Sequence, residues 1–283
     1  MFGFKKKTSS GNTPRTSKPH RAAIFMHLFK VGGTSVHHAI ATSLTESGIC
    51  PVRQEDFAWS LMALRVRSHQ FLPYRFVSGH FDIRRTRLLK EAGYGSFTQL
   101  REPLARIASV YNFLRAHSAE RHPKLRELTP FSRLIFAAKE MPIDRFFGSE
   151  ICRQSISLNN HYVHALATPD DGLGMALRDD EIERLKFKAL DNLAVFDGVG
   201  FLDTQRQLVN ALRKSLALPN VTSVAAMKQT SDEMTWHEWM EPVAIISGHT
   251  LKPYVADLIS GDQFVYDAAR ERFFANDKFQ KAG

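Results

Sequence analysis

The stretch "AAIFMHLFKVGGTS" at residues 22–35 constrains the fold more than any other part of the chain. "AAIFMHL" (22–28) is an apolar run of the length expected for a parallel strand buried on both faces. Gly32 and Gly33 follow, and from Ser35 the apolar positions Val36, Ala39, Ile40 and Leu44 keep helical spacing up to Gly48. Strand, glycine turn and helix form the unit from which parallel sheets are built. In the same geometry backbone N–H groups and a helix N-terminus hold a phosphate. On that reading Gly32 and Gly33 let the backbone approach a ligand, and Thr34 and Ser35 offer hydroxyls and the first free amides of the helix. The Walker pattern is absent, because Lys30 precedes the glycines and no Lys follows them. No acid stands out at another strand end to hold magnesium, as a nucleotide triphosphatase requires. Taken alone, the turn is equally compatible with an ordinary strand–helix connection.

More of the same pattern follows. "RFVSGHF" (75–81) and "YGSFTQL" (94–100) read as strands. Pro103 then occupies a first-turn position, and Leu104, Ile107, Ala108, Tyr111 and Leu114 make one helix face. Residues 180–193 read as helix, 194–202 as extended, 203–218 as helix and 251–276 as helix. Alternating strands and helices predict an α/β fold of three layers, with a central, mostly parallel sheet flanked by helices. No repeat or shift in composition divides residues 22–283, which are expected to form a single domain.

The net charge of +9 is concentrated. Residues 1–21 carry six basic residues and no acid among Ser, Thr and Pro, the composition of a disordered basic tail. Within the body, residues 65–126 hold thirteen Arg or Lys against Asp82, Glu91, Glu102 and Glu120. Such a surplus suits an anionic ligand, or is a solvated basic face. No basic motif interleaved with aromatics is present, so nucleic acid is not an expected partner. No apolar run approaches the ~20 residues of a membrane-spanning helix. Lys5, Lys6 and Lys7 are not followed by the apolar core of a signal peptide. Cys50 and Cys152 make no disulfide framework. These features predict a cytoplasmic protein whose basic tail offers a peripheral contact with a membrane surface. His37, His38, His161 and His164 lack a surrounding carboxylate or thiol cluster, so they read as packing or surface residues and no metal is expected.

A second anion motif lies in "FTQLREPLARIASVYNFLR" (97–115). It puts Arg101 at a strand end and Ser109 in the second turn of a helix, where both are expected to reach a second phosphate. Between the two motifs, "VSGHFDI" (77–83) sets His80 at a strand terminus, where ligands of parallel sheets bind. Asp82, two residues on, falls on the same strand face and is expected to orient or polarise it. Arg106 and Arg115 either favour an anionic acceptor or are solvated.

"LFKVGGTS" resembles the I-P-K-T-G-G-T-S loop of sulfotransferases related to the heparan sulfate 2-O- and 6-O-sulfotransferases, which holds the 5′-phosphosulfate of PAPS (3′-phosphoadenosine 5′-phosphosulfate). "QLREPLARIASVYNFLR" is similar to the family's 3′-phosphate element, and "GHFDI" to the strand end that carries its catalytic base. "RQSISL" (153–158), "DGVGFLDTQRQLVNAL" (197–212) and "SGDQFVYDAARERF" (260–273) agree in order, so the resemblance covers residues 22–275. It implies a P-loop-like fold and a PAPS-dependent enzyme without metal that sulfates a hydroxyl of a glycan, lipid-linked or small-molecule acceptor. It implies that Lys30, Gly32, Gly33, Thr34 and Ser35 hold the 5′ end, with Lys30 near the bridging oxygen. Arg101 and Ser109 would take the 3′-phosphate, and His80 would be the base. A closing loop at 220–236 would add Lys228 and Thr230, although a plain surface loop fits that stretch equally. Phe29, Val31 and Glu102 depart from the family's Pro, Thr and Asp. The alternatives are a small-molecule kinase and a non-catalytic binder of phosphorylated ligands.

Overall fold

In a computed structural model, the residues described are 22–45, 48–49, 74–80, 82–118, 129–168, 177–225 and 240–274. In chain order the elements are β1 (Ala23–Met26), α1 (Gly33–Ala41), β2 (Phe76–Gly79), α2 (Ile83–Glu91), β3 (Gly95–Leu100), α3 (Pro103–Arg115) and α4 (Pro130–Glu140). They continue as α5 (Ile143–Gly148), α6 (Glu150–Arg153), α7 (His161–Ala167), α8 (Asp179–Asn192), β4 (Gly198–Phe201), α9 (Gln205–Ser215) and α10 (Gly248–Ala269). The strands form one sheet in the order β2-β1-β3-β4. Every pairing in it is parallel, so the expected mostly parallel sheet is parallel throughout.

The apolar runs explain this arrangement. All four residues of β1 are buried, as a central strand covered on both faces requires. Ala23 and Phe25 pack with Phe76 and Phe97 beneath Val36 and Ile40 of α1 and Leu208, Val209 and Leu212 of α9. On the opposite face Ile24 and Val77 meet Leu89 of α2, and Met26 joins Tyr162 and Val163 of α7 and Leu185 and Ala189 of α8. A further core lies between α3, α4, α5 and α10, built on Ile107, Tyr111, Leu114, Ile135, Phe146, Phe147, Leu251 and Val255. Burying side chains of this size stabilises the fold by ~1.5–3 kcal/mol each before entropy is counted.

Local chemistry moves several boundaries from the expected ones. The first helix stops at Ala41, not near Gly48, because Thr42 Oγ1 donates back to the His38 carbonyl and Ser43 and Leu44 close tight turns. The expected strand 194–202 shrinks to Gly198–Phe201, between 3₁₀ turns at Leu193–Val195 and Leu202–Thr204. Helix α9 ends at Ser215, and Ala217 then takes a left-handed φ of 54°. Helix α10 starts at Ser247, whose side chain caps the Thr250 N–H, and it ends in a π turn over Arg270–Phe274. Helix α3 starts where expected: Pro103 is in its first turn, and the Glu102 carboxylate accepts from the Leu104 and Ala105 N–H groups. No helix among the described residues is long and apolar enough to cross a membrane. The basic tail, Cys50, Lys228 and Thr230 lie outside the described residues.

Candidate functional site

From β1 the chain runs to β2 on one side of the sheet, then crosses back to β3 on the other. The crevice outside the carboxyl ends of β1 and β3 is therefore the topological switch point, where open parallel sheets hold ligands. The loop from Phe29 to Gly33 and the residue Arg101 flank it, and His80 follows the end of β2 beside it.

The loop is fixed through its carbonyls. Arg101 Nη1 donates to the Lys30 carbonyl at 3.3 Å, Gln99 Nε2 donates to the Val31 carbonyl, and Gln205 Nε2 donates to the Gly32 carbonyl at 3.0 Å. The described peptide bonds are all trans, and in a trans peptide the N–H points opposite to the C=O. The Val31, Gly32 and Gly33 N–H groups thus face away from Arg101, Gln99 and Gln205, and they donate to no described group. Lys30 and Gly32 both hold left-handed backbone, with φ of 62° and 87°. For a lysine that is a strained conformation of the kind that collects at functional sites.

The glycines need their small size for a reason other than the expected approach of a ligand. A Cβ on Gly32 would lie 2.6 Å from Leu202 Cδ1, and one on Gly33 would lie 1.8 Å from His27 Cδ2. Their side-chain directions are filled by protein. Thr34 is half-buried and Ser35 buried at the start of α1. Lys30 Nζ stands 4.5 Å from the centroid of the Phe113 ring.

His80 is half-buried and tied to His27. Its Nδ1 lies 2.6 Å from the His27 carbonyl, which only accepts, so Nδ1 carries the hydrogen and Nε2 presents a lone pair. The two rings stack at 4.6 Å between centroids and 20° between planes. Burial lowers the His80 pKa, while the His27 carbonyl opposes that shift. Asp82 does not share the strand face with His80, contrary to expectation. It caps α2, accepting from the Arg85 N–H at 2.8 Å and pairing with the Arg85 guanidinium at 2.6 Å.

Arg101 is a half-buried cation. Its Nε is enclosed without a hydrogen-bond partner, and no carboxylate among the described residues forms an ion pair with it. Burial lowers its pKa, and the nearby Arg106 adds to that effect. Ser109 is half-buried in the second turn of α3, and no hydrogen bond joins it to Arg101 or to the loop.

Arg106 is held inside the protein, and Arg115 is half-buried. Arg106 is wholly buried, donates to the Ser157 carbonyl at 2.8 Å and pairs with Asp262 at 3.2 Å. Arg115 donates to the Ala244 carbonyl at 2.8 Å and stacks over Tyr111. Part of the basic surplus read in the sequence is paired within the protein, Arg85 with Asp82 and Lys90 with Asp197, while Arg87 and Arg75 donate to the neutral Asn192 side chain and Leu216 carbonyl and keep their charge.

Several residues of the site were not legible in the sequence. His161 Nε2 accepts from the Phe29 N–H and its Nδ1–H donates to the Ile156 carbonyl, both at 3.0 Å, so this packing histidine also anchors the loop. Burial and then Arg106 hold its pKa well below the usual range. Tyr162 beside it bonds Arg101, and Asp262 caps the Tyr162 N–H at 2.7 Å. Asp262 alone left a readable signal, because it interrupts the apolar face Leu258, Ile259, Val265 and Ala269 of α10. Cys152 is buried, its thiol pushed up to about 12, and is chemically inert. Among the described residues no group of three or more His, Cys, Asp or Glu could hold a metal ion.

No protein-family model and no curated protein matches this chain. The functional reading therefore rests on the residues themselves.

Proposed function

We propose that the protein is a sulfotransferase that moves the sulfuryl group of PAPS to a hydroxyl acceptor on a P-loop-like fold. The observation that carries this reading is Arg101, a half-buried guanidinium whose enclosed Nε has no hydrogen-bond partner and which forms no ion pair with a described carboxylate, bonded to the Lys30 carbonyl at the β1/β3 crevice. An enclosed N–H left without a partner favours an incoming acceptor, and on a cation an anionic one. Three amides turned away from their bonded carbonyls, beside the start of α1, form a second anion site of the backbone type. Two anion sites in one crevice fit a nucleotide phosphorylated at both ends, and the residues present fit PAPS.

When bound, PAPS supplies an activated sulfuryl group on its 5′-phosphate. The Val31, Gly32 and Gly33 amides, with Thr34 and Ser35, would hold the 5′ end, and Arg101, helped by Ser109, the 3′-phosphate. Lys30 would stabilise charge on the departing oxygen as a point charge. His80 would take the acceptor proton on Nε2, the nitrogen left bare by the Nδ1–His27 bond. Stacking on His27 fixes its orientation, and because His27 also lies against Gly33, the loop and the base are held by one ring.

The test is a thermal melt with PAP (3′,5′-phosphoadenosine) in the absence of magnesium. Ligand at ~100 times its dissociation constant should add about 2.7 kcal/mol. An unchanged melting temperature with PAP, or stabilisation that needs ATP and magnesium, would sink the reading.

A further inference from the structure

The rings around the reacting centre define an acceptor. Phe29 stands edge-on to His80 at 6.0 Å and edge-on to Phe113 at 5.8 Å, and Phe113 lies under Lys30 Nζ at 4.5 Å. Base, two phenyl rings and cation are thus one continuous series of contacts. Both phenylalanines are only partly buried. The Phe29 N–H donates to His161 at 3.0 Å, so the backbone that carries this ring is anchored. A hydroxyl that reaches His80 Nε2 brings the body of its molecule beside Phe29 and, through it, Phe113.

Resting on the proposed sulfotransferase reading, we propose that the acceptor is an aryl hydroxyl, a phenol, whose ring packs in edge-to-face contact with Phe29 and Phe113. Edge-to-face aromatic pairs at these separations are favourable beyond the area they bury. In the transfer, the phenol proton passes to His80 Nε2 and the phenol oxygen forms a bond to sulfur. The bond between sulfur and the 5′-phosphate oxygen breaks, and its electron pair stays on PAP. The depressed basicity of His80 suits this acceptor, because a phenol with pKa ≈ 10 is a far stronger acid than an alkyl or sugar hydroxyl.

The experiment first measures PAP binding by calorimetry, then sulfate transfer from PAPS to 2-naphthol, to a neutral disaccharide (cellobiose) and to an anionic polysaccharide (heparosan). The expected result is PAP binding with turnover of 2-naphthol at least tenfold above the two carbohydrates. Phe113→Ala and the milder Phe113→Leu should raise KM for 2-naphthol about tenfold and about threefold, with PAP affinity within threefold of wild type. PAP binding with equal or greater turnover of either carbohydrate would overturn the proposal while leaving the donor reading intact. So would a KM for 2-naphthol unchanged in both Phe113 variants. Absence of PAP binding would overturn the donor reading and this proposal with it.

Discussion

Tyr162 holds Arg101 at both ends of its backbone: the phenol donates to the Arg101 carbonyl at 2.6 Å and accepts from the Arg101 N–H at 2.9 Å. Its neighbour His161 anchors Phe29, so one dipeptide at the start of α7 positions both sides of the crevice. Asp262 fixes that dipeptide in turn, through the Tyr162 N–H and the Arg106 guanidinium.

Tyr162→Phe removes one hydroxyl and strips two backbone groups of their partner. Leaving buried polar groups unpaired costs ~1–3 kcal/mol each, so urea unfolding should show a loss of that order. The same variant should bind PAP more weakly, with a smaller preference for PAP over 5′-AMP, because Arg101 loses its fixed position. A stable Tyr162→Phe protein with wild-type preference would remove Tyr162 from the site.

Arg101→Ala should weaken PAP binding by about 1.5–3 kcal/mol, the worth of hydrogen bonds to a charged group. Adenosine 5′-phosphosulfate, which has no 3′-phosphate, should lose little. Calorimetry with both nucleotides decides the matter: equal losses would mean that Arg101 does not read the 3′-phosphate.

His80→Ala and His80→Asn should both lose turnover by ~10²–10⁴, since neither supplies an imidazole base. PAP affinity should stay within about threefold. The base works neutral, and burial lowers its pKa, so the wild-type rate should rise with pH through an inflection below 6.5 and be flat above it. An active His80→Asn enzyme with the same inflection would rule out this role.

His164 gives a stability test away from the chemistry. Its Nε2 accepts from the Leu177 N–H at 3.1 Å, and burial lowers its pKa from 6.5 to about 4, with Glu181 pulling weakly the other way. A depressed histidine stabilises the fold in its neutral form. That contribution is complete above pH 6.5 and is lost as pH falls toward 4. Asp262, raised to about 6 by burial against the pull of Arg106, acts with the opposite sign in the same range. The comparison of wild type with His164→Gln isolates the histidine. The difference in unfolding free energy should shrink by on the order of 2–3 kcal/mol between pH 7 and pH 4. A constant difference would mean that His164 does not titrate in the folded protein.

The strands, α3 and the place of the crevice were legible because each is announced locally. Short apolar runs mark strands, Pro103 after Glu102 marks a helix start, and alternation of strand and helix implies a parallel sheet. A parallel sheet brings its carboxyl ends to one edge, so Lys30, His80 and Arg101 meet there although they lie far apart in the chain. Arg106 was not legible. Its charge suggested solvent or ligand, and its pairing with Asp262, 156 residues away, together with its bond to the Ser157 carbonyl, makes its burial tolerable.

The sequence by itself determined the four strand segments and the helices that follow β1, β3 and β4, to within a few residues at their ends, since these follow from periods of two and 3.6 residues and from turn chemistry. Tertiary structure alone decided that the Arg101 Nε is enclosed without a partner, which nitrogen of His80 is bare, why Gly33 bears no side chain and which rings stand between His80 and Lys30. Each of those depends on a contact between segments distant in sequence. His161 and Phe29 are 132 residues apart, and no local pattern encodes their meeting.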